Sequence, residues 1–372
     1  MTSDETEIGS MPLDRPGVRP SGRHVLFVGF SERNKYFGSF FYATIHKLRN
    51  GFTRAGCHVS WFSDRDIADY AAPFRIRPLG QAIANRKLKT LVAKTRPDLI
   101  VLMHANLITD QTVWDVRRLS PTTKIVSVYL DPIATGMFAA RFRHAAEISD
   151  FAYATTAGAM LQQHCAGGRV GFIPNPVDTS VEKATSFAAA THDYDFFFAG
   201  KPKGRETVLL ELQQLLPDRR FGYFFQNGRD MALSGAAYLT AMARSRIAIN
   251  VTAEENNHWY SSDRLAQFFG AGCVAAQSSY HQMETLYGDG AMLIYRDAAD
   301  LASQATALLR DDSWRRLAKR GQTAALRISD ATLIARYILD RCDGTRSFDW
   351  PHWTAEFYEP TRSPLNANPH SA

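Results

Sequence analysis

The sequence of 372 residues predicts an α/β protein made of two doubly wound parallel sheets, and three observations predict it. Its length is about twice that of a typical single domain. Short apolar runs alternate with stretches of helical periodicity. A Pro-rich segment, Ile173-Pro-Asn-Pro-Val-Asp178, divides that alternation into two series.

His24–Gly29 is an apolar run of buried-strand type, closed by glycine and followed by the polar loop Ser31 to Lys35. A helix should come next. Ser39 can cap it, Phe41, Ile45, Leu48 and Phe52 recur at helical spacing, and Gly56 sits where a left-handed C-terminal residue belongs. Cys57–Ser63 then completes a parallel βαβ unit. The first series continues with a basic helix around Asn85 to Thr95, a strand Asp98 to Met103, a further helix, and strands Lys124 to Leu130 and Phe151 to Thr155. The second series has strands at Tyr194 to Ala199, Phe221 to Phe225, Ile247 to Val251, Cys273 to Ala276 and Ala291 to Tyr295. Its helices start from Arg205 and lie near Ala236 to Arg244 and Asp263 to Ala271, and long helical segments run from Asp300 to Cys342. The expected units are a polar tail at 1–22, a first domain at 23–178, a linker at 179–193 and a second domain at 194–342. Residues 343–372 form a closing segment and tail that can pack back on the first domain.

Apolar residues make up 45% and charged residues 22%, the balance of a soluble globular protein. The net charge of +6 suits a phosphate-bearing ligand or an anionic surface. Its Lys and Arg residues are scattered and no aromatic RNA-binding motif is present, which argues against nucleic acid. Cys57, Cys165, Cys273 and Cys342 lie far apart, with no Cys-x-x-Cys pair and no His at zinc-ligand spacing, so they read as reduced thiols. The first residues, with Asp4, Glu5 and Glu7, do not resemble a secretory leader, and no stretch reaches the ~20 apolar residues of a membrane span. A cytoplasmic protein is expected, with contact at the inner face of the membrane left open.

Three consecutive pieces, Ser245-Arg-Ile-Ala-Ile-Asn250, Ser262-Asp-Arg-Leu-Ala-Gln-Phe-Phe-Gly-Ala-Gly272 and Met292-Leu-Ile-Tyr-Arg-Asp297, carry a family likeness. Together they resemble the C-terminal domain of GT-B glycosyltransferases, in particular the group-one and spore-coat (CgeB-like) branches. Upstream, Phe172 to Asp178 looks like that family's interdomain segment and Phe198-Ala-Gly200 like its opening strand and turn. The resemblance implies two Rossmann-like domains facing a cleft. It also implies transfer of a sugar from a nucleotide diphosphate sugar to a hydroxyl acceptor, a carbohydrate or lipid-linked one such as a cell-envelope glycan. No cofactor or metal is implied. The alternatives are a non-catalytic nucleotide-binding subunit and a GT-B-shaped epimerase or phosphorylase.

In doubly wound sheets ligands bind beyond the carboxyl ends of strands, so the candidates are sought there. Gly200-Lys-Pro-Lys-Gly-Arg205 lies between a strand and a helix, where backbone N–H groups, Lys203 and Arg205 can meet a diphosphate or form a solvated turn. Arg264 falls in the first turn of a helix that Ser262 or Asp263 can cap. A cation there opposes the helix dipole and wants an anion, either a donor phosphate or a carboxylate such as Glu254 or Glu255. The resemblance puts Gln267 where many relatives hold the donor ribose with a glutamate, and Trp259 where retaining relatives have another; it also includes Asn250 among the donor-side residues. An amide oxygen can accept one ribose bond without the strength of a carboxylate. The stereochemical outcome stays open.

On the first domain Arg33, Asn34 and Lys35 are the acceptor-side candidates, in a loop suited to hydroxyl and phosphate contacts or simply to solvent. His104 follows a strand and can move a proton near neutral pH or hold a structural hydrogen bond. Asp131 can act as a base on an acceptor hydroxyl or cap the next turn. Asp64-Arg-Asp66 has the spacing of a metal-binding acidic string, but the resemblance favours cations and helix dipoles over a metal.

Overall fold

A computed structural model describes residues 22–30, 39–72, 76–134, 136–202, 204–226, 233–251 and 257–360. The first lobe alternates β1 (His24–Gly29), α1 (Thr44–Arg54), β2 (His58–Phe62), α2 (Asp64–Ala71), α3 (Arg77–Thr95), β3 (Leu99–Met103), α4 (Asp110–Leu119), β4 (Lys124–Tyr129), α5 (Gly136–Ile148), β5 (Phe151–Ala154), the short α6 (Ala159–Gln162) and β6 (Val170–Phe172). The second lobe runs through β7 (Tyr194–Gly200), α7 (Glu206–Leu215), β8 (Phe221–Phe225), α8 (Gly235–Ala243), β9 (Ser245–Asn250), α9 (Asp263–Gly270), β10 (Val274–Ser278), α10 (Met283–Tyr287), β11 (Leu293–Tyr295), α11 (Ala298–Arg310), α12 (Trp314–Ser329) and α13 (Ala331–Asp343). A two-residue strand, β12 (Phe357–Tyr358), follows.

Two sheets result, in the orders β12-β6-β5-β4-β3-β1-β2 and β11-β10-β9-β7-β8. Every pairing is parallel except that of β12 with β6, where Phe357 lies opposite Gly171 and Tyr358 opposite Val170. Strand alternation divides the second lobe's core. Phe196 and Phe198 of β7 face α7, α11 and Trp314, while Phe197 and Ala199 face a core that continues into the first lobe. That shared core takes in Leu48 and Phe52 of α1 and Ile334 and Ile338 of α13, so the two lobes are packed to each other through helices at the crossover.

One local expectation is corrected and two further segments are placed. Helix α1 begins at Thr44 after Ala43, which offers no side-chain cap, so Ser39 lies outside it and Phe41 is exposed rather than on its apolar face. The segment after Asp178 is not a free polar tether: Glu182, Ser186 and His192 are buried. Lys47 of α1 donates to Glu182 across 2.6 Å with both side chains 0% exposed. The reason is that the crossover has to seat polar groups against packed helices, and it does so by pairing them. Finally, Asp64 and Asp66 open helix α2. Asp66 accepts from Ser63, its N-cap, and Asp64 accepts the Leu107 N–H, so the acidic string serves a helix start.

Candidate functional site

The carboxyl ends of β7 and β8 and the amino end of α9 converge on a cavity of about 190 Å³ between the lobes. The first lobe contributes Phe40, Tyr42 and Ala43, and the second Gly200, Phe224, Tyr238, Asp263, Arg264 and Gln267 among others. Tyr42 stacks on Tyr238 across the lobes, with ring centroids 4.9 Å apart. Burial, with Asp263 nearby, pushes the Tyr42 phenol up to about 12, so it stays a neutral wall at ordinary pH.

Arg264 is the central charge. Only 8% of it is exposed. Its guanidinium donates to three neutral oxygens: Nε to Ser262 Oγ at 3.1 Å, Nη1 to the Ala199 carbonyl at 3.2 Å and Nη2 to the Val251 carbonyl at 3.0 Å. It also lies 4.9 Å from the centre of the Phe198 ring. No carboxylate pairs with it among the described residues; Glu254 and Glu255 lie outside them. Burial, reinforced by the neighbouring Arg205 charge, lowers its pKa to about 10, which leaves it cationic at neutral pH. Gly200 makes room for it, because a Cβ at that position would stand 2.6 Å from Arg264 Nη1.

Arg205 immediately precedes α7 as its N-cap residue, and its Nη1 donates to the Lys201 carbonyl at 3.2 Å. Its Nε is buried without a hydrogen-bond partner among the described residues, and burial lowers its pKa. Arg264 at the cavity, with the Arg205 charge near enough to lower its pKa, is a buried cation that an incoming anion would stabilise. Lys203 lies outside the described residues, as do Arg33, Asn34 and Lys35.

Two donor-side candidates turn inward. Asn250 is fully buried, donating to Gln277 Oε1 at 2.6 Å and accepting from Ser262 Oγ at 2.9 Å, so its side chain braces the turn before α9. Ser262 is therefore spent on Asn250 and does not cap the helix. Gln267 lines the cavity, but its Oε1 already accepts from the Tyr238 hydroxyl at 2.5 Å and its Nε2 donates to Asp263 at 3.2 Å. Trp259 packs on Phe172, donates to Thr285 and holds a positive φ of 55°.

His104 and Asp131 come together because β3 and β4 are neighbours in the sheet. Their Nδ1 and Oδ2 atoms stand 4.0 Å apart, close enough for charge attraction and too far for a hydrogen bond. His104 is held at a φ of 53°, a costly conformation for a residue with a Cβ. Burial lowers its pKa, Asp131 pulls it back up and Arg65 adds to the lowering. The imidazole is therefore neutral at pH 7 and able to accept a proton. Sequence reasoning missed Phe40, Tyr42 and Tyr238, whose aromatic character alone did not separate cavity lining from core.

Residues 204–340 match a family described as glycosyl transferase-like. No curated protein matches the sequence. Among solved structures, sucrose-phosphate synthase from Thermosynechococcus elongatus is similar over 87% of this chain and 98% of its own, at 13% identity and a TM-score of 0.54. Anabaena HepE in complex with UDP and glucose covers 87% of this chain and 100% of its own, at 13% identity and a TM-score of 0.51. The α,α-trehalose 6-phosphate synthase of Burkholderia multivorans covers 87% and 96%, at 10% identity and a TM-score of 0.53. The molecule thus has the GT-B fold, two Rossmann-like parallel-sheet lobes with the cavity between them.

Proposed function

We propose that the protein is a glycosyltransferase that moves a sugar from a nucleotide diphosphate sugar to a hydroxyl acceptor, a carbohydrate or lipid-linked one of the cell-envelope kind. The observation that carries this reading is the buried Arg264 guanidinium, held among the described residues by neutral oxygens and opening on an interlobe cavity. The glycosyl transferase-like match over residues 204–340 and the solved HepE complexes with UDP and UDP-glucose support it. In this scheme Arg264, Arg205 and the amino end of α7 neutralise the leaving diphosphate, with Gly200 giving it backbone access. His104, steadied by Asp131, takes the acceptor proton from the facing lobe. Closure of the lobes would keep water from the donor.

A second reading, a non-catalytic nucleotide-binding subunit, has one observation in its favour. Gln267, at the family's ribose-glutamate position, has its carbonyl oxygen occupied by Tyr238. Thermal shifts across UDP, GDP, ADP and their sugars, followed by assay of free sugar release, separate the two. The glycosyltransferase reading expects a raised Tm with one nucleotide series and slow sugar release from its donor. A raised Tm with no release under any donor would favour the binding subunit. No shift with any nucleotide, or a shift unchanged in R264M, would overturn both.

A further inference from the structure

The second lobe carries another concentration of cations, away from the cleft. The turn 288–292 leads into the amino end of β11, whereas the cleft lies beyond the carboxyl ends of β7 and β8, so this region sits at the opposite end of the sheet. There α12 and the turn enclose a groove of about 560 Å³, lined by Arg316, Lys319, Arg320 and Arg327 against one carboxylate, Asp289. We propose that this groove is a second anion site, for a small ligand bearing two or more phosphates.

The helix itself points that way. Trp314, Ala318, Gly321, Ala325 and Ile328 bury one face of α12. The residues Arg316, Lys319, Arg320, Thr323 and Arg327 emerge on the other, all exposed. Across its length α12 has five cations and no acidic residue. Arg315 is committed to Asp312 and to the carbonyls of Phe187 and Ala189, but the other four form no ion pair among the described residues. Like charges at spacings of three and four residues repel, and three of these four crowd the first two turns, where the helix dipole is itself positive. An arrangement that is unfavourable in isolation becomes favourable with an anion in the groove.

The groove's other wall is shaped to the same end. Gly290, at a φ of 70°, lets the chain pass under Arg320, whose Nη2 donates to the Asp289 carbonyl at 3.2 Å; a Cβ on Gly290 would stand 2.6 Å from that nitrogen. Arg320 is thereby fixed in place, while the forks of Arg316 and Arg327 and the Lys319 ammonium remain to bind. From Arg316 to Arg327 the stripe runs about 16 Å along the helix, longer than one phosphate needs. Its concavity and the lack of any exposed large apolar residue in its lining favour a small polyphosphate over a membrane surface.

Calorimetric titration with sodium tripolyphosphate at about 0.15 M salt tests this, using the full chain carrying R264M so that the cleft does not contribute. The expected result is one equivalent bound, with a Kd raised at least about tenfold by adding K319A and R327A and restored by K319R and R327K instead. Absence of binding in R264M, or an equal Kd with and without the two alanines, would overturn the proposal. So would groove-dependent capture of phosphatidylglycerol vesicles or of an acidic glycan without binding of tripolyphosphate. Because the two alanines are compared in one R264M background, the groove's share of binding is read apart from the cleft and does not depend on the glycosyltransferase reading.

Discussion

Two buried cations in this molecule have opposite surroundings. Lys47 lies at the crossover between lobes, wholly buried, with Glu182 at 2.6 Å; the other oxygen of Glu182 accepts the Asp178 N–H at 2.8 Å. Arg264 lies at the cleft, almost as buried, with three neutral oxygens and a cavity. A cation given its own carboxylate has no electrostatic need left and can only hold structure. One with no carboxylate partner among the described residues, beside open space, keeps that need for whatever enters, and this contrast, more than the fold, points to the candidate site.

The contrast is broken most severely at Lys47. K47M leaves Glu182 buried and unpaired, and should cost about 3–5 kcal/mol in chemical denaturation, with most of the loss recovered in a K47M/E182M double variant. R264M should do the reverse. It should leave apo stability much less affected than K47M does, yet remove the nucleotide-induced rise in Tm and lower kcat/KM by about a hundredfold or more in a donor-turnover assay. Equal stability losses from the two variants would erase the distinction.

In the first lobe, H104Q should lower kcat about a hundredfold with little change in donor KM. The pH profile gives the sign. The folded pKa of His104 lies below the ordinary imidazole value of 6.5, so the wild-type acid limb of kcat/KM should fall below that pH and vanish in H104Q. Stability should also decline as pH drops from 6.5 toward the folded value, because there the unfolded chain binds the proton first. The smallest effect is expected from Y238F, which frees the Gln267 carbonyl oxygen. It should cost about 1–2 kcal/mol of stability and alter nucleotide affinity only a fewfold, as read by calorimetry.

Much of the fold was legible because buried parallel strands write themselves as apolar runs. Leu99–Met103 and Tyr194–Gly200 could hardly be anything else. What escaped were elements whose local signal is weak or points elsewhere. Val170–Phe172 is only three residues long, Asp64–Ala71 opens with a string that suggests metal chemistry, and Gly136–Ile148 carries little amphipathic contrast. In the site, Arg264 was legible because a cation at a helix start is anomalous in itself. His104 and Asp131 could each be picked from the end of a strand, but only sheet order makes them neighbours. The partnership of Lys47 with Glu182 spans 135 positions, and no local pattern encodes it. The partners of Asn250 and Gln267 were illegible for the same reason: an amide's partners are chosen by the tertiary surroundings, and here they are Gln277, Ser262, Tyr238 and Asp263.

The two-residue pairing of Phe357 and Tyr358 with β6 bears on how the protein is made. During synthesis the first lobe leaves the ribosome with the Val170–Phe172 edge bare, and nearly two hundred further residues must be translated before its covering strand exists. Trp353, fully buried with its indole N–H on the Ile328 carbonyl, arrives in the same late segment. A lobe translated before its partner is thus among the last to be sealed, and a nascent chain stalled before residue 357 would display an open strand edge to its neighbours.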